Sequence, residues 1–307
     1  MLEDEFGPDG PVVVLTAVNL EYEAVRAHLV DPRRVIHENT WFEAGEVSGS
    51  DHQVVLTQIG PGNRRTAVIT ELARARFAPR AIIFVGVAGS LKEDIRLGDV
   101  VVADKVYAYD GAKHVADEVF ARPAAWAPSH GLLQAAKHAL RGAAWTERVR
   151  AKTLQQDGSP QVHFKPVAAG ETLLNSLGSS LRAQLTHAFN DAVAVEMESA
   201  GLAEAAAIGK VEWLTIRGIS DYADGAKAEA DARGSQQIAA AHAAAAAMAL
   251  IAALPLERSG SSTPDSDLTA APNGPKQINK ADRKGVVNAV QNGTLTINHH
   301  GPQATDR

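Results

Sequence analysis

Carboxylates that follow apolar runs are the residues of this sequence best suited to chemistry. Four segments hold them or the turns beside them: residues 17–23 (AVNLEYE), 86–91 (GVAGSL), 195–201 (VEMESAG) and 217–224 (RGISDYAD). Each comes at or just after a β-branched or apolar stretch, and in open α/β sheets ligands bind outside the carboxyl ends of the strands. Glu21, Glu23, Glu196, Glu198 and Asp221 are the acidic candidates. Acids held in different surroundings can divide the work of proton donor and proton acceptor, because burial and neighbouring charge move their titrations apart. A carboxylate that opens a helix also has a plainer use, as partner of the helix dipole. Each segment taken alone therefore carries a structural reading beside the functional one.

The elements that would position these residues can be read from periodicity. Residues 11–18 (PVVVLTAV), 53–59, 81–87 (AIIFVGV) and 99–106 (DVVVADKV) are runs that predict buried strands, and 192–195 and 211–216 predict two more. Helices are predicted at 20–29, 66–77, 129–141, 199–208 and 236–254, the last rich in alanine. Residues 160–166 form a weaker strand candidate. Strands alternating with helices imply a largely parallel sheet covered on both faces.

Composition removes several classes of function. The chain has 307 residues, 45% of them hydrophobic and 21% charged, enough for a sizeable core with an ordinary surface. It contains no cysteine, which excludes disulfides, thiolate metal sites and a cysteine nucleophile, and fits a cytoplasmic setting. The net charge of −6 argues against a nucleic-acid partner. No signal peptide is expected from the acidic opening MLEDEFGPDG, and the alanine-rich run 239–254 is expected to be too short for a membrane span. Histidines are scattered without metal-ligand spacing, so no metal or other cofactor is expected. No G-x-S-x-G elbow is present.

The ordered set AVNLE, GVAGSLKEDIRLGDVVV, VEMES and RGISDYAD resembles the purine nucleoside phosphorylase/uridine phosphorylase superfamily. Within it, the similarity is greatest to the 5′-methylthioadenosine/S-adenosylhomocysteine nucleosidases. The resemblance extends over residues 12–254. It implies a three-layer α/β/α fold with a central mixed sheet, a homo-oligomer, and cleavage of the N-glycosidic bond between a purine and ribose. Asp221, after Ile219-Ser220, matches the acid that protonates the departing base at N7. Glu198, the second glutamate of Glu-Met-Glu, matches the ribose clamp, with Met197 against the sugar. Glu21 matches the base that activates water, and Glu23 takes that place if the alignment slips. Gly86, Ala88 and Gly89 would let the backbone approach the ligand, and Val87, Leu173, Glu196, Arg217 and Ser220 complete the expected binding set.

The same resemblance favours water over phosphate as nucleophile. The phosphate-using branch carries an arginine and a serine where this sequence has Phe84 and Val87, and these cannot donate to a phosphate dianion. Arg64 and Arg65 leave two readings open: the solvated start of a helix, or an anion site at its N-terminus. Leu173 stands near where the nucleosidases place a base-stacking aromatic, so the reaction class is better supported than the substrate, which could be methylthioadenosine-like or a phosphorylated adenosine. The rival functions are a phosphate-dependent phosphorylase and a non-catalytic nucleotide-sensing or assembly module.

The chain is expected to divide into a leader (1–10), the α/β domain (11–254) and a tail (255–307). Residues 259–275 are rich in Ser, Thr, Pro, Asn and Gly and read as a disordered linker. Residues 285–301 are β-prone and poor in charge. They loosely resemble short signalling-amyloid motifs, with Val290-Gln291-Asn292-Gly293 as the core. Two readings remain for this tail: a disordered segment, or a recruiting motif that binds a protein partner and makes the enzyme an effector in bacterial defence signalling.

Overall fold

The computed structural model describes residue 6 and residues 10–115, 118–149 and 159–256. The linker and the motif at 285–301 lie outside the described residues.

The chain opens with β1 (Val12–Thr16) and α1 (Asn19–Arg26), then an antiparallel pair, β2 (Leu29–His37) and β3 (Thr40–Val47). The reading of a helix through residue 29 is corrected here: α1 stops after Arg26 and Leu29 already begins a strand. Glu38 and Asn39 both adopt positive φ, 44° and 61°, the geometry of the two-residue turn that suits twisted hairpins. Next come β4 (Gln53–Gln58), α2 (Asn63–Phe77), β5 (Ala81–Ser90) and β6 (Val100–Ala108). The short strands β7 (Ala112–Val115) and β8 (Glu118–Ala121) pair with each other, and β9 (Ala124–Trp126) pairs with β6. The remainder is α3 (His130–Ala139), a 3-10 turn at Ala144–Arg148, β10 (Val162–Ala169), α4 (Ser180–Ala188), β11 (Ala194–Glu196), α5 (Ser199–Gly209), β12 (Trp213–Asp221), α6 (Lys227–Ala232) and α7 (Ser235–Ala253).

The main sheet is mixed and runs β11-β10-β6-β12-β5-β1-β4-β3-β2. The strands β4, β1, β5 and β12 are mutually parallel, whereas β6 runs against β12. At the end of β5 the sheet closes on itself: Gly89 and Ser90 pair antiparallel with Val195 and Ala194 of β11. Side chains of a strand alternate between faces, and β1 shows this directly. Val12 and Val14 face a core with α1, α3 and α7, while Val13 and Leu15 face one with α2 and α5. The α7 helix meets length and composition criteria for crossing a membrane. Its alanines are instead buried against the sheet, where small side chains bring the helix close to its neighbours.

Candidate active site

The carboxyl ends of β1, β5 and β12, together with β11, surround a cavity of about 170 Å³. Ala17, Val18 and Glu21 line it from the β1–α1 corner, and Val87, Ala88 and Gly89 from β5. Thr172, Leu173 and Leu174 form one wall, Val195, Glu196, Met197 and Glu198 another, with Ser220 and Asp221 at the end of β12. Pro61, Lys227 and Gln236 complete the lining. A more open hollow of about 670 Å³ lies beside Lys92, Lys105, Lys137 and Lys165. Asp94, Asp104 and Asp191 also line it, but none of Glu21, Glu198 and Asp221 does.

Glu21 reaches its place by turning back on its own helix. Its Oε2 accepts from the backbone N–H groups of Ala17 (2.7 Å) and Val18 (3.1 Å), which closes the start of α1. Its Oε1 accepts from Val87 N at 2.8 Å, which ties the helix to the end of β5. Burial raises the titration of Glu21 above the ordinary carboxylate range, against the attraction of Arg217 and two backbone N–H bonds. Glu23, one residue past Tyr22, is exposed and lies off the cavity.

Glu196 and Glu198 flank the start of α5 and do different things. Glu196 accepts from the backbone N–H groups of Glu198 and Ser199 and from the Arg217 guanidinium. This is the dipole-partner use of a carboxylate at a helix start. It touches the cavity wall, but its oxygens are occupied by the protein itself. Burial pushes it up to about 7, against the pull of Arg217. Glu198 is held more loosely, by Arg217 Nη2 at 3.2 Å and by the Gly62 N–H at 3.1 Å. Gly62 has φ of 111°, a conformation that suits glycine, and it aims the α2 N-terminus at Glu198.

Arg217 and Gly86, expected to touch substrate, do not line the cavity. Arg217 is completely buried beneath the cavity, with its guanidinium 4.2 Å from the centre of the Phe84 ring. It positions Glu196 and Glu198 and does not line the cavity. Gly86 sits behind it: a Cβ there would lie 2.5 Å from Arg217 Nη1 and 2.7 Å from Glu21 Oε1. Arg64 and Arg65 are exposed and absent from the lining. Arg65 donates to the Ile59 carbonyl at 3.3 Å, so the solvated helix-start reading is the one that fits. Tyr109 and Asp110 also lie off the cavity. They anchor its wall through Thr172 O and Glu171 N, both at 2.9 Å.

Asp221 closes the far end of the cavity. Its Oδ2 accepts from Ser220 Oγ at 2.8 Å and its Oδ1 from Ala223 N at 2.9 Å. Sequence reading missed its third donor, Lys227, whose Nζ lies 2.9 Å from Oδ2. A lysine six residues beyond an acid carries no pattern of its own; the intervening turn brings the two together. Gln236, Pro61 and Thr172 were missed for the same reason. Among the described residues there is no group of three or more metal-ligating side chains.

A family model described as the phosphorylase superfamily matches residues 11–254. The chain belongs to the phosphorylase superfamily. Among similar superfamily members is the 5′-methylthioadenosine/S-adenosylhomocysteine nucleosidase of Mycobacterium bovis, 30% identical over 229 residues, 69% of this chain and 86% of the relative. The enzyme of the same name from Marinomonas is 28% identical over 215 residues, 68% of this chain and 85% of its own length. The crystal structure of such a nucleosidase from Neisseria meningitidis, bound to methylthio-immucillin-A, superposes with a TM-score of 0.66 at 25% identity. It covers 80% of this chain and 99% of the other. Futalosine hydrolase of Helicobacter pylori shares the superfamily fold at 20% identity and a TM-score of 0.65, covering 80% of this chain and 99% of its own.

Proposed function

We propose that this superfamily member hydrolyses the N-glycosidic bond of a purine nucleoside or nucleotide and releases the free base. The observation that carries the reading is that Glu21, Glu198 and Asp221 line one small cavity with three different sets of neighbours. Asp221 is the acid that gives the departing purine its proton, worth on the order of 10²–10⁴ in rate. Glu198 grips the ribose hydroxyls and stabilises the oxocarbenium-like sugar more than the ground state. Met197 packs against the sugar. Glu21, raised by burial, accepts the proton of the attacking water. Val87, Ala88, Gly89 and Ser220 border the ligand, and Leu173, an exposed residue, covers it at the mouth.

Water is favoured over phosphate because the local cations are engaged. Arg217 is paired beneath the cavity, Lys227 is paired with Asp221, and Arg64 and Arg65 lie outside. The curated relatives are named as nucleosidases of methylthioadenosine and adenosylhomocysteine, which supports a 5′-substituted adenosine as substrate. The reading includes a cytoplasmic setting, in keeping with the cysteine-free sequence. It also includes assembly into a homo-oligomer, and recruitment of a protein partner through the β-prone residues 285–301.

The test is chromatography of free base from methylthioadenosine, adenosylhomocysteine, adenosine, inosine, AMP and ATP, each with and without phosphate. Base release without phosphate is expected. Release only with phosphate would replace the hydrolase by a phosphorylase, and none from any substrate would overturn the enzyme reading.

A further inference from the structure

Asp221 is surrounded by donors, yet the reaction asks it to give a proton away. Ser220, Ala223 and Lys227 supply three hydrogen bonds to its two oxygens. Among these three donors, the ammonium of Lys227 is the one that carries a charge. The fold places it deliberately. Arg182 Nη1 donates to the carbonyls of Tyr222 (3.0 Å) and Ala223 (3.3 Å), and Gly225 N donates to Asn175 Oδ1 at 3.0 Å. These bonds turn the chain back after β12, so that the first residue of α6 lies over the acid. The Lys227 side chain lines the cavity and is 24% exposed, within reach of solvent protons.

We propose that Lys227 is the positioning residue that supplies, through Asp221, the proton taken by the leaving purine. This step rests on the nucleosidase reading above. As the glycosidic C–N bond breaks, its electron pair stays with the base. The Nζ–H bond of Lys227 breaks and its proton goes to the Asp221 carboxylate, which passes a proton on to a ring nitrogen, so that the Asp221 carboxylate and a neutral amine remain. Water adds to the sugar and its proton goes to Glu21. After the base departs, solvent returns a proton to Lys227 and takes one from Glu21, and the site is restored.

The experiment compares wild type, Lys227→Arg, Lys227→Met and Asp221→Asn on two substrates. One is the preferred purine nucleoside. The other is the 4-nitrophenyl riboside with the same 5′ group, whose phenolate leaves without a proton. Arginine keeps the ion pair but does not give up its proton. Lys227→Arg and Lys227→Met are therefore expected to lose roughly 10²-fold in kcat on the purine substrate, with KM little changed. Both are expected to lose far less rate on the nitrophenyl riboside than on the purine, with Asp221→Asn as the reference for loss of the acid itself. A wild-type kcat for Lys227→Arg on the purine would overturn the proposal, because charge alone would then suffice. Equal losses on both substrates for Lys227→Met would also overturn it, in favour of a structural role. If the wild-type protein released no base, the nucleosidase reading itself would fall, and this step with it.

Discussion

Replacing Arg217 by methionine tests the electrostatic frame under the site. The guanidinium is fully buried, faces Glu196 and Glu198, and lies against Phe84. Methionine fills much of the same volume but leaves two buried carboxylates facing each other without a cation. Breaking a buried pair in this way costs about 3–5 kcal/mol. At roughly 2–4 °C per kcal/mol for a domain of this size, the melting temperature should fall by roughly 6–20 °C. The loss should depend on pH with a definite sign. Burial pushes Glu196 up to about 7 in the folded protein, above the ordinary carboxylate value of 4.5, so its share of stability declines as pH rises between those values. Without Arg217 its titration moves higher still, and the decline continues further into the alkaline range. Urea unfolding of the variant and wild type at about pH 5 and about pH 8 should therefore show the larger deficit at the higher pH. Adding Glu196→Gln to the variant should recover part of it, because the buried charge is then gone. A deficit below about 1 kcal/mol, or one equal at both pH values, would refute the claim that Arg217 compensates buried charge.

Three further outcomes can be checked with the base-release assay. The acidic limb of kcat/KM should lie above the ordinary carboxylate value of 4.5, because burial raises Glu21 and protonation disables it as a base; a pH–rate profile measures this. Gly86→Ala should lower kcat by roughly 10²-fold, since its Cβ would displace both Glu21 Oε1 and Arg217 Nη1; steady-state kinetics on the folded variant measures the loss. Arg64→Ala and Arg65→Ala should change neither the rate nor its independence of phosphate, and stability should shift by less than about 0.5 kcal/mol, as at exposed sites.

The sequence made the site legible where apolar runs end in acids, and obscure where contacts form between distant turns. Glu21 follows the strand VVVLT, Glu198 follows the apolar residues 192–195 (AVAV), Asp221 ends the buried strand β12, and all three line the same cavity. The hairpin of β2 and β3 was not legible, because Leu29–His37 contains a proline and three charged residues and is only half-buried. Such a strand suits a sheet edge, where charge and proline discourage pairing with another chain. The closure of β11 onto β5 was hidden because it rests on two residue pairs at the end of a long strand. Arg217 looked like a ligand contact because it shares a motif with Asp221. Strict alternation would put both on one face of β12, but the register shifts between Ile219 and Asp221, and Arg217 points under the cavity toward the glutamates.

The preference for water follows from how charge is distributed, and the uncharged Phe84 is one part of that distribution. Phe84 gives Arg217 a ring to lie on, and Arg217 holds Glu196 and Glu198. The N-terminus of α2, an expected place for an anion, is already directed at Glu198 through Gly62. Lys227 is engaged with Asp221. A phosphate dianion entering beside the sugar would have to break one of these contacts and sit next to two or three carboxylates. A water molecule needs only an acceptor, and Glu21 provides one whose titration is raised by burial. Val87→Ser or Phe84→Arg is therefore expected to leave base release independent of added phosphate in the chromatographic assay, because the carboxylates that repel phosphate would still be in place.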